Sequence, residues 1–356
     1  PIFSRRLLRG PDQEGMDMTS TERVRIALTG GQPDRVPVVE FVIDEKVWRA
    51  AMSDACDCAD FMDRAGYDCV GCGAAFQRVK EEADGTYIDE WGVRYMPGPE
   101  AVAHPIEGPI ATLEDAHAWT PPDPDAPHRL ATLRDYVERY KGRRAICFHH
   151  RAAFMWSAYL MGLDNLLLNL IADPPLAETV MDKVLDVNMR VVRGAIRAGA
   201  EVIILGDDYA HNQGPMMSPV AFEQFIAPRL KRMVDLIHDE GALCIKHSDG
   251  NIYPILDAIV ATGPDGLNPI EPVAGMTLTE TRRRVGSRLC LVGNIDCGQL
   301  LCSGTPDEVR KAVRQAITDG AADGSFMLSS SNSIHSSCNP ENVLAMLDAA
   351  REYGAV

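Results

Sequence analysis

Eight times along the chain a short apolar run stops at a polar or glycine-containing end and gives way to a helical pattern. The runs are VPVVEFVID (36–44), DCVGCGA (68–74), AICFHHR (145–151), EVIILGDD (201–208), LCIKHSD (243–249), GLNPIE (266–271), LCLVGNID (289–296) and FMLSSSN (326–332). Short apolar runs alternating with amphipathic helices call for a parallel sheet covered by helices. Eight of them predict a closed (β/α)8 TIM barrel of the α/β class, with a doubly wound open sheet as runner-up. GTYIDEWGVRYMPGP (85–99), two β-like halves around Glu90-Trp91-Gly92, predicts a short β-hairpin inserted after the second strand, placed to wall one side of a cleft. Thr19 and Glu22 in TSTERVRIAL form a capping-box signature, so order begins there. Residues 1–18, with Arg5, Arg6 and Arg9 and no sustained helical period, read as a flexible arm, which leaves 19–356 as a single catalytic barrel.

A barrel of this size needs a large core, and 46% hydrophobic residues in 356 supply it. The net charge of −16 argues against nucleic acid and anionic membranes as partners, and no apolar stretch is long enough to span a bilayer. Ten cysteines without a signal-peptide pattern read as reduced thiols in a cytoplasmic protein. Cys56/Cys58 and Cys69/Cys72 have tempting spacings, but Cys69 and Cys72 fall in a strand pattern, where residues three apart point to opposite faces.

Barrels carry their chemistry at the C-terminal ends of the strands, so the polar residues closing each run form one set. It holds Glu40 and Asp44, His149 with His150 and Arg151, Asp207 with Asp208, His247 with Asp249, Asn268 with Glu271, Asn294 with Asp296, and Asn332 with His335. One strand-end histidine is commonly structural. Several histidines and carboxylates converging on one mouth point to chemistry.

GQPDRVPVVEF, GDDYAHNQGPMMSPVAFEQFIAPRL, HSDGN, LVGNID and SSSNSIHSSCNPENVLAM, in this order over roughly residues 19 to 352, together resemble the uroporphyrinogen decarboxylase superfamily. The resemblance implies the same barrel. True uroporphyrinogen decarboxylases carry an arginine-rich MRQAGR after the first strand, suited to a polycarboxylate substrate. Here the matching stretch is the acidic EFVIDEKVWRA, so porphyrinogen decarboxylation is rejected. The superfamily's other branch contains corrinoid-dependent methyltransferases. Some hold zinc through a His-x-Cys at strand five and a Cys at strand eight, positions that read His247-Ser248-Asp249 and Asn332 here. Without the thiolates the set is harder and more Lewis-acidic, which favours polarising an oxygen leaving group over activating a thiol. The resemblance therefore implies a methyltransferase that demethylates a small methylated compound, expected to be an O-methyl one, and passes the methyl group to the cobalt of a corrinoid-binding partner protein. Zinc or another divalent metal is the implied cofactor. A lyase decarboxylating a small acid on the same barrel, and a non-catalytic small-molecule-binding relative, are the alternatives.

Within that frame His247, Asp249, Glu271 and Asp208 are the catalytic candidates, and His247, Asp249, Glu271 and His335 the metal-ligand candidates. His149, His150, Arg151, Asn332 and Glu40 are the candidates for substrate binding. His247 and Asp249, two apart, share a strand face; they either ligate a metal or form a hydrogen-bonded acid pair. Glu271, between two prolines, is a further ligand or acid, or the partner of a neighbouring cation. Asp207 and Asp208 are adjacent, so only one can face inward, and Asp208 is preferred. His335 either replaces the missing strand-eight thiolate or caps the last helix, with Cys338 less favoured as a ligand. The basic cluster 149–151 suits an anionic group on the substrate, with solvated surface charge as its alternative. The apolar helices are compatible with a homodimer.

Overall fold

A computed structural model of the chain describes residues 18–98, 103–322 and 325–355; apart from Met18, the expected N-terminal arm lies outside them. Its strands are β1 (Cys69–Gly73), β2 (Arg78–Glu81), β3 (Tyr87–Asp89), β4 (Arg94–Met96), β5 (His104–Glu107), β6 (Ala145–His150), β7 (Val202–Gly206), β8 (Ala210–His211), β9 (Gly214–Pro215), β10 (Leu243–His247), β11 (Gly266–Asn268), β12 (Cys290–Ile295) and β13 (Phe326–Ser330). Seven of the eight apolar runs form one curled parallel sheet in the order β1-β6-β7-β10-β11-β12-β13. Helices pack around it, among them Pro174–Ala198 between β6 and β7 and Pro340–Tyr353 after β13. Thr19 caps the helix Ser20–Leu28 in the expected capping box with Glu22.

The first run departs from the expected regular strand. Pro37 has no N–H to give, and the Val38 N–H is taken by the Asp68 carboxylate at 2.9 Å. Isolated bridges remain: Val39 N donates to Leu328 O and Leu328 N to Pro37 O on one side, while Asp68 N donates to Val38 O on the other. The run thus meets both the last and the first strand of the sheet. Arg23 and Arg35 both pair with the buried Asp68, tying the first helix to this junction.

The insertion after β1 is also larger than expected. Instead of a lone hairpin there is a four-stranded antiparallel sheet, β2-β3-β4-β5, in which β3 and β4 form the hairpin around Glu90-Trp91-Gly92. Two flanking segments with too little apolar alternation to read as strands complete it. Its turn is anchored twice. Glu90 takes a bidentate bond from the buried Arg129 guanidinium at 2.6 and 2.9 Å, and Trp91 stacks on Trp156 with ring centres 4.3 Å apart. Trp156 sits in the helix Phe154–Met161 that follows β6, and Asp207 fixes that helix by accepting from the N–H groups of Ala152, Ala153, Phe154 and Met155. The end of β7 and the inserted wall are therefore mechanically connected. No single helix among the described residues is long and apolar enough to cross a membrane.

Candidate active site

The alternation of a β-strand separates neighbours in function. Asp207 turns away to cap the helix, while Asp208 faces the cavity at the C-terminal ends of the sheet strands. Two strands' residues meet it there. His247 Nε2 lies 3.6 Å from Asp208 Oδ1 and 3.4 Å from Asp249 Oδ1. Ser248, between them, points the other way and accepts from Tyr209 N at 3.0 Å. Gly250, at φ +82°, makes the turn that follows; a Cβ there would come within 2.5 Å of the Ala210 backbone.

The orientation of each group is enforced by its neighbours. β10 and β11 pair His247 with Asn268 in register, and His247 Nδ1 lies 2.5 Å from Asn268 Oδ1. The amide nitrogen of Asn268 is engaged by Val292 O and Ser329 Oγ, so its oxygen is the atom offered, Nδ1 carries the proton, and Nε2 is free to act as acceptor or ligand. Asn332 Nδ2 donates to Asp249 Oδ2 at 2.6 Å, and Asp249 Oδ1 is buried without a hydrogen-bond partner. Burial, reinforced by the Asp208 and Glu271 carboxylates against the opposing pull of His247, pushes Asp249 up to about 6. Beneath the cluster, the fully buried Lys246 ammonium donates to the carbonyls of Leu205, Asp207 and His247, locking β7 and β10 together.

One donor atom each from Asp208, His247 and Asp249 lies within 4.8 Å of the others. One imidazole and two carboxylates, one with an orphaned buried oxygen, form a donor set that fits a divalent ion of hard or borderline character. The cluster differs from the expected ligand set in two places. Glu271 is not one of its three members: its Oε2 accepts from Gly250 N at 2.7 Å, in the turn after Asp249. His335 lies in another group, its Nε2 3.7 Å from Cys302 Sγ, and Asp208 is the third member instead.

The cavity above the cluster has a volume of about 710 Å³. Glu40 contributes to its lining, buried at 2% exposure, with Ser330 N donating to it at 3.1 Å. Burial pushes its carboxyl up to about 7 despite the hydrogen bonds from Ser330. His149 also faces the cavity, in an edge contact with Phe41, with its Nε2 unpartnered. Burial, with the nearby His247, holds it neutral by lowering its pKa to about 4. The absence of a side chain at Gly71 makes room for this ring, since a Cβ would lie 2.9 Å from Nε2. His150 is also among the residues lining the cavity, but its Nε2 is engaged by Asn188 Oδ1 at 3.0 Å, and burial lowers its pKa to about 3. Arg151 does line the cavity, lying over Trp156 and Tyr159. Its Nε is buried without a partner, and no carboxylate pairs with it among the described residues.

Sequence reasoning missed the aromatic wall. Phe76, Trp156, Tyr159, Tyr87 and Tyr95 all line the cavity, the last two stacked at 5.2 Å across the β3–β4 register. Asp89, beside Tyr95, is pushed up to about 6 by burial. The cue was the alternation Tyr87, Asp89 in the insertion, which places both on one face of a strand.

The uroporphyrinogen decarboxylase (URO-D) family matches residues 90–353. Uroporphyrinogen decarboxylase of Alkalilimnicola ehrlichii is 26% identical over 273 residues, covering 73% of this chain and 71% of its own. The enzyme of the same name from Pseudoalteromonas translucida is 25% identical over 194 residues, so the match spans only 50% of that relative's length and 52% of this chain. The methylated-thiol–coenzyme M methyltransferase of Methanosarcina mazei is 24% identical over 326 residues, 85% of this chain and 82% of its own. Among solved structures, a methyltransferase from Methanosarcina mazei superposes with a TM-score of 0.75 at 19% identity, covering 94% of this chain and 99% of that one, and so shares its fold.

Proposed function

The chain belongs to the uroporphyrinogen decarboxylase family, and within it we propose a methyltransferase that takes the methyl group from a small O-methyl compound and delivers it to the cobalt of a corrinoid-binding partner protein. We read residues 19–356 as one catalytic (β/α)8 barrel, closed by the first run between β13 and β1. The reading rests on the Asp208–His247–Asp249 cluster at the floor of an aromatic cavity. The length-spanning similarity to a methyltransferase of this family supports it. An acidic Glu40 stands where a polycarboxylate substrate would need guanidinium groups.

The aromatic walls fit a flat apolar body, and the unpaired Arg151 guanidinium fits a carboxylate on it, so a methoxylated aromatic acid is the substrate class we assign. Phe76, Trp156, Tyr159, Tyr87 and Tyr95 exclude water from that body, and Arg151 fixes its orientation. The ether oxygen then faces the floor. A divalent ion held by Asp208, His247 and Asp249 would supply Lewis acidity toward that oxygen. Asn268 keeps the His247 proton on Nδ1, and Asn332 holds Asp249 with its unpartnered Oδ1 toward His247. A second reading keeps the same geometry without metal: Asp249, raised to about 6, holds a proton at mildly acidic pH and gives it to the departing oxygen.

The test is to supply the purified chain with a methoxybenzoate and cob(I)alamin as the carrier's stand-in. Methylcobalamin should form in step with the hydroxybenzoate. Carbon dioxide release without methylcobalamin would replace this reading with the decarboxylase one. Metal analysis of the parent and of Asp249→Ala separates the two forms of the mechanism, because only the metal-dependent one loses ion and turnover together.

A further inference from the structure

Beyond the mouth, the loops that follow β12 and β13 bring Cys302, His335 and Cys338 together. Cys302 Sγ lies 3.7 Å from His335 Nε2 and 4.0 Å from Cys338 Sγ, and one donor atom from each lies within 4.8 Å of the others. Cys338 is buried, and the other two are half-buried. None of the three donor atoms is needed to hold these loops together. Asn339 N donates to Leu301 O, and the buried Asn342 amide donates to the carbonyls of Leu300, Leu301 and Gly304, so neutral hydrogen bonds already fasten the short helix Leu300–Ser303 to the start of Pro340–Tyr353. Both thiols instead aim at one acceptor, the Cys297 carbonyl, at 3.1 and 3.5 Å.

We propose that Cys302, His335 and Cys338 form a second metal site, for a thiophilic divalent ion of the zinc class, distinct from the cluster at the mouth. Two thiolates and an imidazole are the donors such an ion prefers, whereas the mouth offers two carboxylates and an imidazole. On binding, each thiol releases its proton to solvent and each sulfur, like His335 Nε2, gives a lone pair to the ion; nothing is oxidised or reduced. The imidazole proton then resides on Nδ1, so the present 3.3 Å contact with Ser337 N–H gives way. Cys297 Sγ is occupied by the Ser331 hydroxyl, which leaves the fourth tetrahedral position to solvent. The ion would clamp the 331–339 loop, which also carries Asn332 against Asp249.

Cobalt(II) is the probe, added to the reduced, chelator-treated full chain and, in parallel, to Asp249→Ala, which removes the mouth cluster. Both should bind one ion showing sulfur-to-cobalt charge-transfer absorption and intense tetrahedral bands, displaced by zinc, and the parent's melting temperature should rise with zinc. Cys302→Ser and Cys338→Ser, made separately, should each weaken this binding roughly a hundredfold and lower the charge-transfer intensity per bound ion to about half, while the double variant should show no such band. The proposal is overturned if the intact chain shows no thiolate band while its cysteines titrate as free thiols, or if both serine variants keep the parent's affinity and full band intensity. It is overturned equally if reduction of a Cys302–Cys338 disulfide yields a chain that takes up no ion. Because the intact chain alone can decide, a serine variant that fails to fold does not rescue it.

Discussion

Asp208, His247 and Asp249 stand at the ends of two paired strands, whereas Cys302 stands in the short helix Leu300–Ser303 and His335 and Cys338 on a loop. The strand-end group is locked from below by Lys246 and from the side by Asn268, so its geometry follows from sheet register. The loop group is set by helix capping around Asn339 and by the Asn342 amide. One donor set is hard and faces a roomy cavity; the other is soft and tucked behind a helix start. The contrast teaches that one chain can hold a carboxylate–imidazole group and a thiol–imidazole group only a few residues apart: Asn332 belongs to the first group and His335, three residues on, to the second.

The comparison breaks most visibly at His247. His247→Ala should lower methyl transfer by about 10² to 10⁴-fold, the usual range for a group handling a proton or ligand at the reacting centre, while Cys302→Ser should cost far less in the same assay; equal losses would merge the two groups into one site. Next in size is Lys246→Met, which strands three carbonyls that share its ammonium and should cost about 3 kcal/mol or more in urea unfolding. If stability is unchanged, the rigidity claimed for the strand ends is wrong.

Glu40→Gln sharpens the comparison through pH. Glu40 sits at about 7 in the fold against an ordinary 4.5. Between these values the unfolded chain is ionised while the folded one keeps its proton, so stability falls as pH rises across that window and is level below and above it. The parent should therefore lose on the order of 3 kcal/mol relative to Glu40→Gln between pH 4.5 and 7. Parallel pH-stability curves for the two proteins would contradict a protonated Glu40. The smallest effect is at Arg151: Arg151→Leu should raise KM for a methoxylated aromatic acid by roughly tenfold to a hundredfold with kcat nearly kept, and leave KM for the corresponding neutral ether unchanged. A matching rise for both substrates would place the carboxylate elsewhere.

Much of the sheet was legible because apolar runs with polar ends are a local signal; β6, β7, β10, β12 and β13 fall inside runs visible in the sequence. The pairing of Asp207 and Asp208 was legible for the same reason, since strand alternation assigns opposite faces to neighbours. The irregular first run was not, because it depends on Asp68, thirty residues away from Val38, claiming an N–H that the ladder would have used. The bond from Gly250 to Glu271 was not legible, because a carboxylate between prolines reads the same whether it faces a ligand or a neighbouring amide. His335 and Cys302 meet across a separation of thirty-three residues, which no spacing rule could join, and the engagement of His150 depends on Asn188 in a distant helix.

The four-stranded insertion holds Tyr87, Asp89 and Tyr95 over the cavity but contributes nothing to Asp208, His247 or Asp249, and its anchors, Glu90 on Arg129 and Trp91 on Trp156, lie outside the reactive floor. Part of the cavity wall and the carboxylate–imidazole cluster are thereby written in separate stretches of chain. Substitutions in β2–β5 can therefore reshape this side of the cavity while Asp208, His247 and Asp249 stay as they are, which makes the insertion the part of the molecule most open to change without disturbing the strand ends.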